Sequence, residues 1–249
     1  MERDVFALAR AAEARHWWFR GRRAILASAL EAWLPPAANR SILEAGCGHG
    51  GNLPMLARFG RVSAFEADAA ARAVAEARQV GDIRPGRLPD DLPFGDRRFD
   101  LIAALDVLEH IVDDQASIAA LRDRLTPTGR LVVTVPAYPV LWSPHDEAAH
   151  HVRRYTRRQL LQQLDRANLH VEHVTYFNTL LLPLAVAQIA AMRLGVTGPA
   201  SGLKVPVGPL NAALGAVFMM ERPLVRGPGL PLGLSIFVIA ARRPITAAP

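Results

Sequence analysis

Ile42-Leu43-Glu44-Ala45-Gly46-Cys47-Gly48-His49-Gly50-Gly51-Asn52 decides the fold. A short apolar run enters a glycine cluster, and Leu53–Phe59 directly after it has helical spacing. Glycine permits the tight turn and lets main-chain N–H groups come close to a ligand. Strand, glycine turn and helix in that order put the turn at the carboxyl edge of a parallel sheet, where open α/β sheets bind nucleotides. Two fingerprints overlap here. Gly46, Gly48 and Gly51 satisfy G-x-G-x-x-G, while Gly46, Gly48 and Gly50 satisfy G-x-G-x-G. Glu66 ends the next apolar run, 20 positions after Gly46. A carboxylate there can accept both ribose hydroxyls under either reading.

Outward from the loop, residues 41–142 alternate apolar runs with helical stretches. Ser41–Ala45, Arg61–Glu66, Phe99–Leu105 and Arg130–Val135 read as buried strands, with Ala69–Gln79 and Gln115–Leu125 as helices between them. That alternation predicts a parallel sheet covered on both faces. Thr156 is an expected N-cap for a helix over Thr156–Ala167, and Val171–Phe177 and Leu234–Ala241 read as two further strands. Residues 1–36 read as an amphipathic helical leader that breaks at Leu34-Pro35-Pro36.

The chain has 249 residues, 51% of them hydrophobic and 21% charged, which excludes a disordered or fibrous protein. Its single cysteine, Cys47, excludes a disulfide framework. The start shows no apolar signal segment, so a cytoplasmic location is expected. The net charge of +6 comes from arginines spread along the chain, without a basic stripe interleaved with aromatics. No nucleic-acid partner is expected.

Glu44 stands two residues before the first glycine. A carboxylate beside a pyrophosphate would be repulsive, whereas one beside an amino-bearing ligand would be attractive. A further strand, Phe99–Leu105, runs into Asp106-Val107-Leu108-Glu109-His110. With the E-x-G-x-G-x-G loop at 44–50, the acidic strand end at Glu66, Leu92-Pro93-Phe94 before Arg98-Phe99-Asp100, and the turn Leu125-Thr126-Pro127-Thr128-Gly129, the sequence resembles the class I S-adenosylmethionine-dependent methyltransferases. Thr128 departs from the glycine usual in that family's turn.

The resemblance implies a Rossmann-like α/β fold: a seven-stranded, mostly parallel sheet with an antiparallel last strand and helices on both faces. It implies S-adenosylmethionine as cofactor, with S-adenosylhomocysteine as product. Gly46, Cys47, Gly48 and Gly50 would form the main-chain cradle, with Glu44 near the methionine amine and Glu66 on the ribose. Ala67 and Asp68 would flank the adenine, Leu88 would line its pocket, and Asp106 and Val107 would border the transferred methyl. Residues 37–177 and 234–249 would make the cofactor domain, with 1–36 as a helical lid and 178–233 as an apolar helical insertion.

The acceptor side is read from residues alone. The loop Trp142–Tyr155 follows the fifth strand and therefore lies at the cofactor edge. His145 or His150 would serve as base for a hydroxyl acceptor, with Trp142, His151, Arg153, Arg154 and Tyr155 around a polar one. The same loop offers metal-type ligands in His145, Asp146, Glu147, His150 and His151, but not in an H-E-x-x-H order, and no metal is expected. Trp17, Trp18 and Arg22 in the aromatic leader would close over the acceptor. The insertion has no run of about 20 apolar residues, so it does not read as a membrane span. It would instead contact a lipid-linked acceptor, a membrane surface or a second copy in a homodimer. The function expected is O-methylation of a small-molecule or lipid-type acceptor by a cytoplasmic enzyme, peripheral to the inner membrane face if the insertion meets lipid. Alternatives are a nicotinamide-dependent oxidoreductase or a non-catalytic scaffold at a membrane.

Overall fold

The computed structural model describes residues 13–34, 37, 39–196 and 205–243. The first 12 residues of the leader, Pro35-Pro36 and 197–204 of the insertion lie outside the described residues. Seven strands form one sheet in the order β3-β2-β1-β4-β5-β7-β6. They are β1 Ser41–Ala45, β2 Arg61–Glu66, β3 Asp82–Pro85, β4 Phe99–Leu105, β5 Leu125–Pro136, β6 Leu169–Phe177 and β7 Ser235–Arg242. β1 through β5 are parallel, and β7 runs antiparallel between β5 and β6. The sheet order reverses at β1 and β4, so the loops after these strands flank one crevice.

Strand periodicity sends successive residues to opposite faces. Ile42, Leu101, Val132 and Phe237 join one buried cluster, and their neighbours Leu43, Ile102, Val133 and Val238 join the other. Helices α1 (Trp17–Trp33), α2 (Leu53–Leu56), α3 (Ala69–Glu76), α8 (Gly208–Met219) and α9 (Arg222–Arg226) give residues to the first cluster. Helices α4 (Asp114–Asp123) and α6 (Arg157–Arg166) give residues to the second. Between α4 and α6 lies the short α5 (Pro144–Ala148), and α7 (Leu182–Arg193) follows β6.

Three sequence expectations shift. β5 begins at Leu125, because the Thr126–Gly129 turn is absorbed into the strand's start against Phe99 and Asp100. β3, which has no apolar run of its own, is an exposed edge strand paired only to β2. α2 stops at Leu56, three residues before the expected end. Thr156 does cap α6: its hydroxyl accepts from Gln159 N, and the Gln159 side chain reaches back to Thr156 N at 3.0 Å.

The insertion is tied to the leader and also closes on itself. Trp17 N donates to Asn211 Oδ1 at 2.9 Å, and Asn211 Nδ2 donates to Arg15 O at 2.9 Å. Trp17 meets Phe218 edge-on with ring centroids 5.6 Å apart. Gly21 allows this approach, since a Cβ there would lie 2.5 Å from the Phe218 ring. The buried Glu221 carboxylate accepts main-chain N–H bonds from Asn178 (2.6 Å), Thr179 (2.7 Å) and Leu180 (2.7 Å), which pins the start of the insertion, just after β6, to the turn that opens α9. Among the described residues, no helix is long and apolar enough to cross a membrane.

Candidate active site

The glycine loop leaves β1 in a left-handed course, with φ of +64°, +52° and +72° at Gly46, Gly48 and Gly50. The three glycines serve different ends. A Cβ at Gly46 would meet Val107 at 3.1 Å, and one at Gly50 would meet Leu53 at 2.7 Å, so these two are packed positions. A Cβ at Gly48 would meet nothing within 4 Å. The open face of the loop is therefore at Gly48, where a ligand could approach the main chain. Cys47 donates its main-chain N–H to Phe65 O at 3.0 Å, and burial holds its thiol well above its usual range, so it is not a nucleophile.

Glu66 accepts from Gly48 N at 2.8 Å and from Asp68 N at 2.9 Å, which aims the carboxylate across the loop with lone pairs to spare. Asp68 is the N-cap of α3, its side chain accepting from Ala71 N at 2.7 Å. Ala67 and Asp68 are exposed beside it. Leu88 is buried in the second core cluster beside Phe65, within a turn closed by Arg87 and Asp91.

Glu44 is 1% exposed. Asn52 Nδ2 donates to its Oε1 at 2.9 Å, and its Oε2 has no hydrogen-bond partner. Burial pushes this carboxyl up to about 7, although the Asn52 bond and the Arg22 charge pull the other way. An unpartnered buried oxygen fits a ligand that brings a cationic donor.

From Asn52 a polar chain crosses the crevice. Arg22 Nη1 donates to Asn52 Oδ1 at 3.3 Å, and Arg22 Nη2 donates to Thr134 Oγ1 at 3.0 Å. The same Nη2 is 2.8 Å from Asp106 Oδ2, and Thr134 Oγ1 donates to Asp106 Oδ1 at 2.7 Å. Arg22 is 5% exposed and stacks on Trp18, 5.5 Å from its ring centroid. Asp106 adopts φ +58°, a strained conformation for a non-glycine residue, held by its N–H bond to Thr134 O at 3.0 Å. The leader thus reaches the ends of β1, β4 and β5 through one guanidinium. Sequence reasoning missed Asn52 and Thr134. The signal for Thr134 was a lone hydroxyl in the otherwise apolar run Leu131–Val135 of β5.

The loop after β5 is built around Asp146, which is fully buried. It accepts from Ser143 N (2.9 Å), Ser143 Oγ (3.0 Å) and Arg154 Nε (2.6 Å), and its Oδ1 is 2.9 Å from His151 Nδ1. The His151 and Arg154 partners hold its carboxyl far below the usual carboxylate range, against the cost of burial. Two expected acceptor contacts are redirected by this packing. Arg154 spends its guanidinium on Asp146 and on Ala137 O at 3.2 Å. Tyr155 is 2% exposed and donates to Asp114 Oδ2 at 2.7 Å, which with burial raises its hydroxyl far above its usual range. Both are braces for the loop, and their polar groups do not face an acceptor. Trp17 is likewise committed to packing on α8. Trp142 is half-buried, and its carbonyl accepts from Arg193 at 3.0 Å. His145 and His150 lie on the exposed side of the loop, His145 with its ring centroid 6.4 Å from that of His151. Partial desolvation, helped by His151 and Arg154, lowers the pKa of His145 and leaves it able to accept a proton at neutral pH.

The geometry can bind a ligand with an adenosine-like ribose at Glu66 and a cationic amine near Glu44. A methyltransferase-domain family model matches residues 16–174, more than half of the chain. A protein of Mycolicibacterium smegmatis named "Probable S-adenosylmethionine-dependent methyltransferase" is 29% identical over 162 residues, covering 63% of this chain. The match spans only 61% of that relative's own length. Among solved structures, a chain of the complex between the Haloferax volcanii Trm112 methyltransferase activator and a methyltransferase superposes with TM-score 0.63 at 17% identity, covering 98% of this chain and 97% of its own. A geranyl diphosphate methyltransferase in complex with S-adenosylmethionine superposes with TM-score 0.60 at 18% identity, covering 88% and 85%. These likenesses establish the fold. The chain belongs to the methyltransferase-domain family, with the class I Rossmann-like architecture.

Proposed function

We propose that the protein methylates a hydroxyl of a small apolar or lipid-type acceptor at the edge formed by Gly48, Glu66, Asp106 and the 142–155 loop. Bound there, the cofactor supplies an electrophilic methyl on a sulfonium. The residues supply the rest. Glu44 would take the ligand's ammonium on its unpartnered Oε2. Glu66 would add ribose hydroxyls to the two N–H bonds it already accepts. Arg22 fixes Asp106 and, with Trp18, would roof the crevice and exclude water. His145 or His150 would take the acceptor's proton, and in-line placement would provide much of the rate.

The observation that carries the acceptor class is α7. Its 12 residues are almost entirely apolar, yet none is buried. Leu184 is 59% and Val186 42% exposed, and Arg193 at the helix end donates to Val140 O and Trp142 O of the acceptor loop. An apolar surface joined to the loop beside the reacting edge suits an acceptor with an isoprenoid or acyl tail, taken from a membrane surface.

Calorimetric titration with S-adenosylhomocysteine tests the cofactor half, with NADH as control and Glu66→Ala alongside. Micromolar binding of the homocysteine ligand alone is expected. Binding of NADH instead overturns it. Transfer of labelled methyl to apolar phenols and isoprenoid alcohols, set beside polar acceptors of equal nucleophilicity, tests the acceptor half. Equal rates for both classes would defeat the lipid-type reading.

A further inference from the structure

Leu108–His110 forms a single 3-10 turn after β4, and it delivers two side chains to the acceptor loop. Glu109 is 1% exposed, and its Oε2 has no hydrogen-bond partner. His110 is on the rim, with its ring centroid 4.8 Å from that of His151. One ligand-type atom each from Glu109, His110 and His151 lies within 4.8 Å of the others. The loop is bound to this turn, because Val152 N donates to Glu109 O at 2.7 Å.

The surroundings are organised as a metal-binding shell requires. His151 Nδ1 faces Asp146 Oδ1 at 2.9 Å, so its Nε2 is free to coordinate. Asp146 is itself immobilised by Ser143 and Arg154. A carboxylate bonded to the far nitrogen of a histidine fixes the tautomer and the ring orientation of a metal ligand. A buried carboxylate oxygen left without any donor is costly unless something cationic meets it. Two imidazoles and one carboxylate suit a divalent first-row metal with open positions, and coordination would draw the three atoms closer than their present spacing.

We infer that Glu109, His110 and His151 form a divalent transition-metal site beside Asp106, with Asp146 as the positioning residue behind His151. This departs from the expectation of no metal drawn from the loop alone, because Glu109 and His110 come from a different element. Resting on the hydroxyl-acceptor reading above, the site would hold the acceptor oxygen as a further ligand. The coordinated O–H would lose its proton to solvent or to His145. Its oxygen pair would form the bond to the methyl carbon, and the pair of the breaking C–S bond would stay on sulfur.

The test uses the full chain, stripped with chelator and titrated with Co2+, read by calorimetry and visible absorption. One equivalent binding in the micromolar range is expected, with absorption bands of a nitrogen-and-oxygen site. Glu109→Gln and His110→Ala should each weaken it more than 10-fold. Asp146→Asn should weaken it about 10–100-fold and shift the bands, as a positioning residue behind a ligand does. His170→Ala, on β6, should leave it unchanged. Near-ultraviolet circular dichroism checks that each variant is folded, and His110→Ala alters an exposed side chain if Glu109→Gln fails to fold. No binding, or equal binding in Glu109→Gln and His110→Ala, overturns the site. Titrating the stripped protein with S-adenosylhomocysteine separates the two readings. Retained binding without a Co2+ site removes the metal alone. Loss of that binding in both stripped and loaded protein removes the methyl-transfer reading, and the acceptor role of the metal with it.

Discussion

The carboxyl edge of the sheet and the apolar helices before β7 are opposites in how they are satisfied. At the edge, Asn52, Arg22, Thr134 and Asp106 form a closed relay of bonds between 2.7 and 3.3 Å. In α7 no residue is buried, and in α8 only Gly215 and Phe218 are. Among the described residues, the buried polar atoms of the edge left without a partner are Arg22 Nε, Glu44 Oε2 and Glu109 Oε2. Of these helices, α8 and α9 are anchored through Asn211, Leu214, Val217, Phe218, Glu221 and Val225, while α7 shows apolar side chains to the outside. Catalytic geometry needs preorganised polar groups. A surface that receives a greasy chain needs unfilled apolar area, so the two regions obey opposite packing rules.

The largest expected effect breaks the anchor between them. Phe218 is fully buried, edge-on to Trp17 and stacked on Phe177 with centroids 6.4 Å apart. Phe218→Ala should lower unfolding stability by about 3–5 kcal/mol in a urea titration. A loss below about 1 kcal/mol would mean that α8 is not part of the core.

Next is the cost of keeping the edge ready for a cation. The folded-state pKa of Glu44 is raised by burial from 4.5 to about 7. Below pH 4.5 both folded and unfolded states hold the proton. Between there and pH 7 the unfolded chain ionises first, so stability falls with rising pH by on the order of 3 kcal/mol, and the loss is complete above pH 7. Glu44→Gln should raise Tm at pH 8 and narrow the difference between pH 5 and pH 8. An unchanged pH profile would show that Glu44 already has a cationic partner. For the same reason, cofactor binding near pH 6 should release a proton, measurable by calorimetry in buffers of different ionisation enthalpy.

Glu66→Ala should weaken S-adenosylhomocysteine binding about 100-fold, the loss of charge-assisted bonds of roughly 1.5–3 kcal/mol. A change under threefold would remove Glu66 from the site. The smallest effect sharpens the contrast. Leu184→Gln with Val186→Gln should change stability by less than about 0.5 kcal/mol and leave homocysteine-ligand affinity intact. It should nonetheless reduce partition onto anionic phospholipid vesicles. Unchanged partition would take the membrane away from α7.

Much of the framework was legible. β1, β2 and β4 have the bounds expected from apolar runs, because buried parallel strands are nearly continuous in hydrophobicity. The glycine loop and Glu66 were legible because main-chain geometry and a strand end fix them locally. β3 was not, because an exposed edge strand has no apolar pattern to find. The acceptor loop was only half legible. Its location followed from β5, but which side chains turn inward depended on Asp146, whose burial no local spacing reveals. Arg154 and Tyr155 look like acceptor contacts in sequence and are braces in the fold.

By itself, then, the sequence determined the buried strands of the sheet and the glycine loop at their carboxyl edge, since these rest on periodicity and on local main-chain requirements. Only the tertiary structure decided that Arg22 crosses from the leader to Asp106, that Asn52 links Glu44 to it, and that Glu109, His110 and His151 converge. Apart from the neighbours Glu109 and His110, those meetings join residues 8 to 84 positions apart, and only packing of whole elements sets their distances.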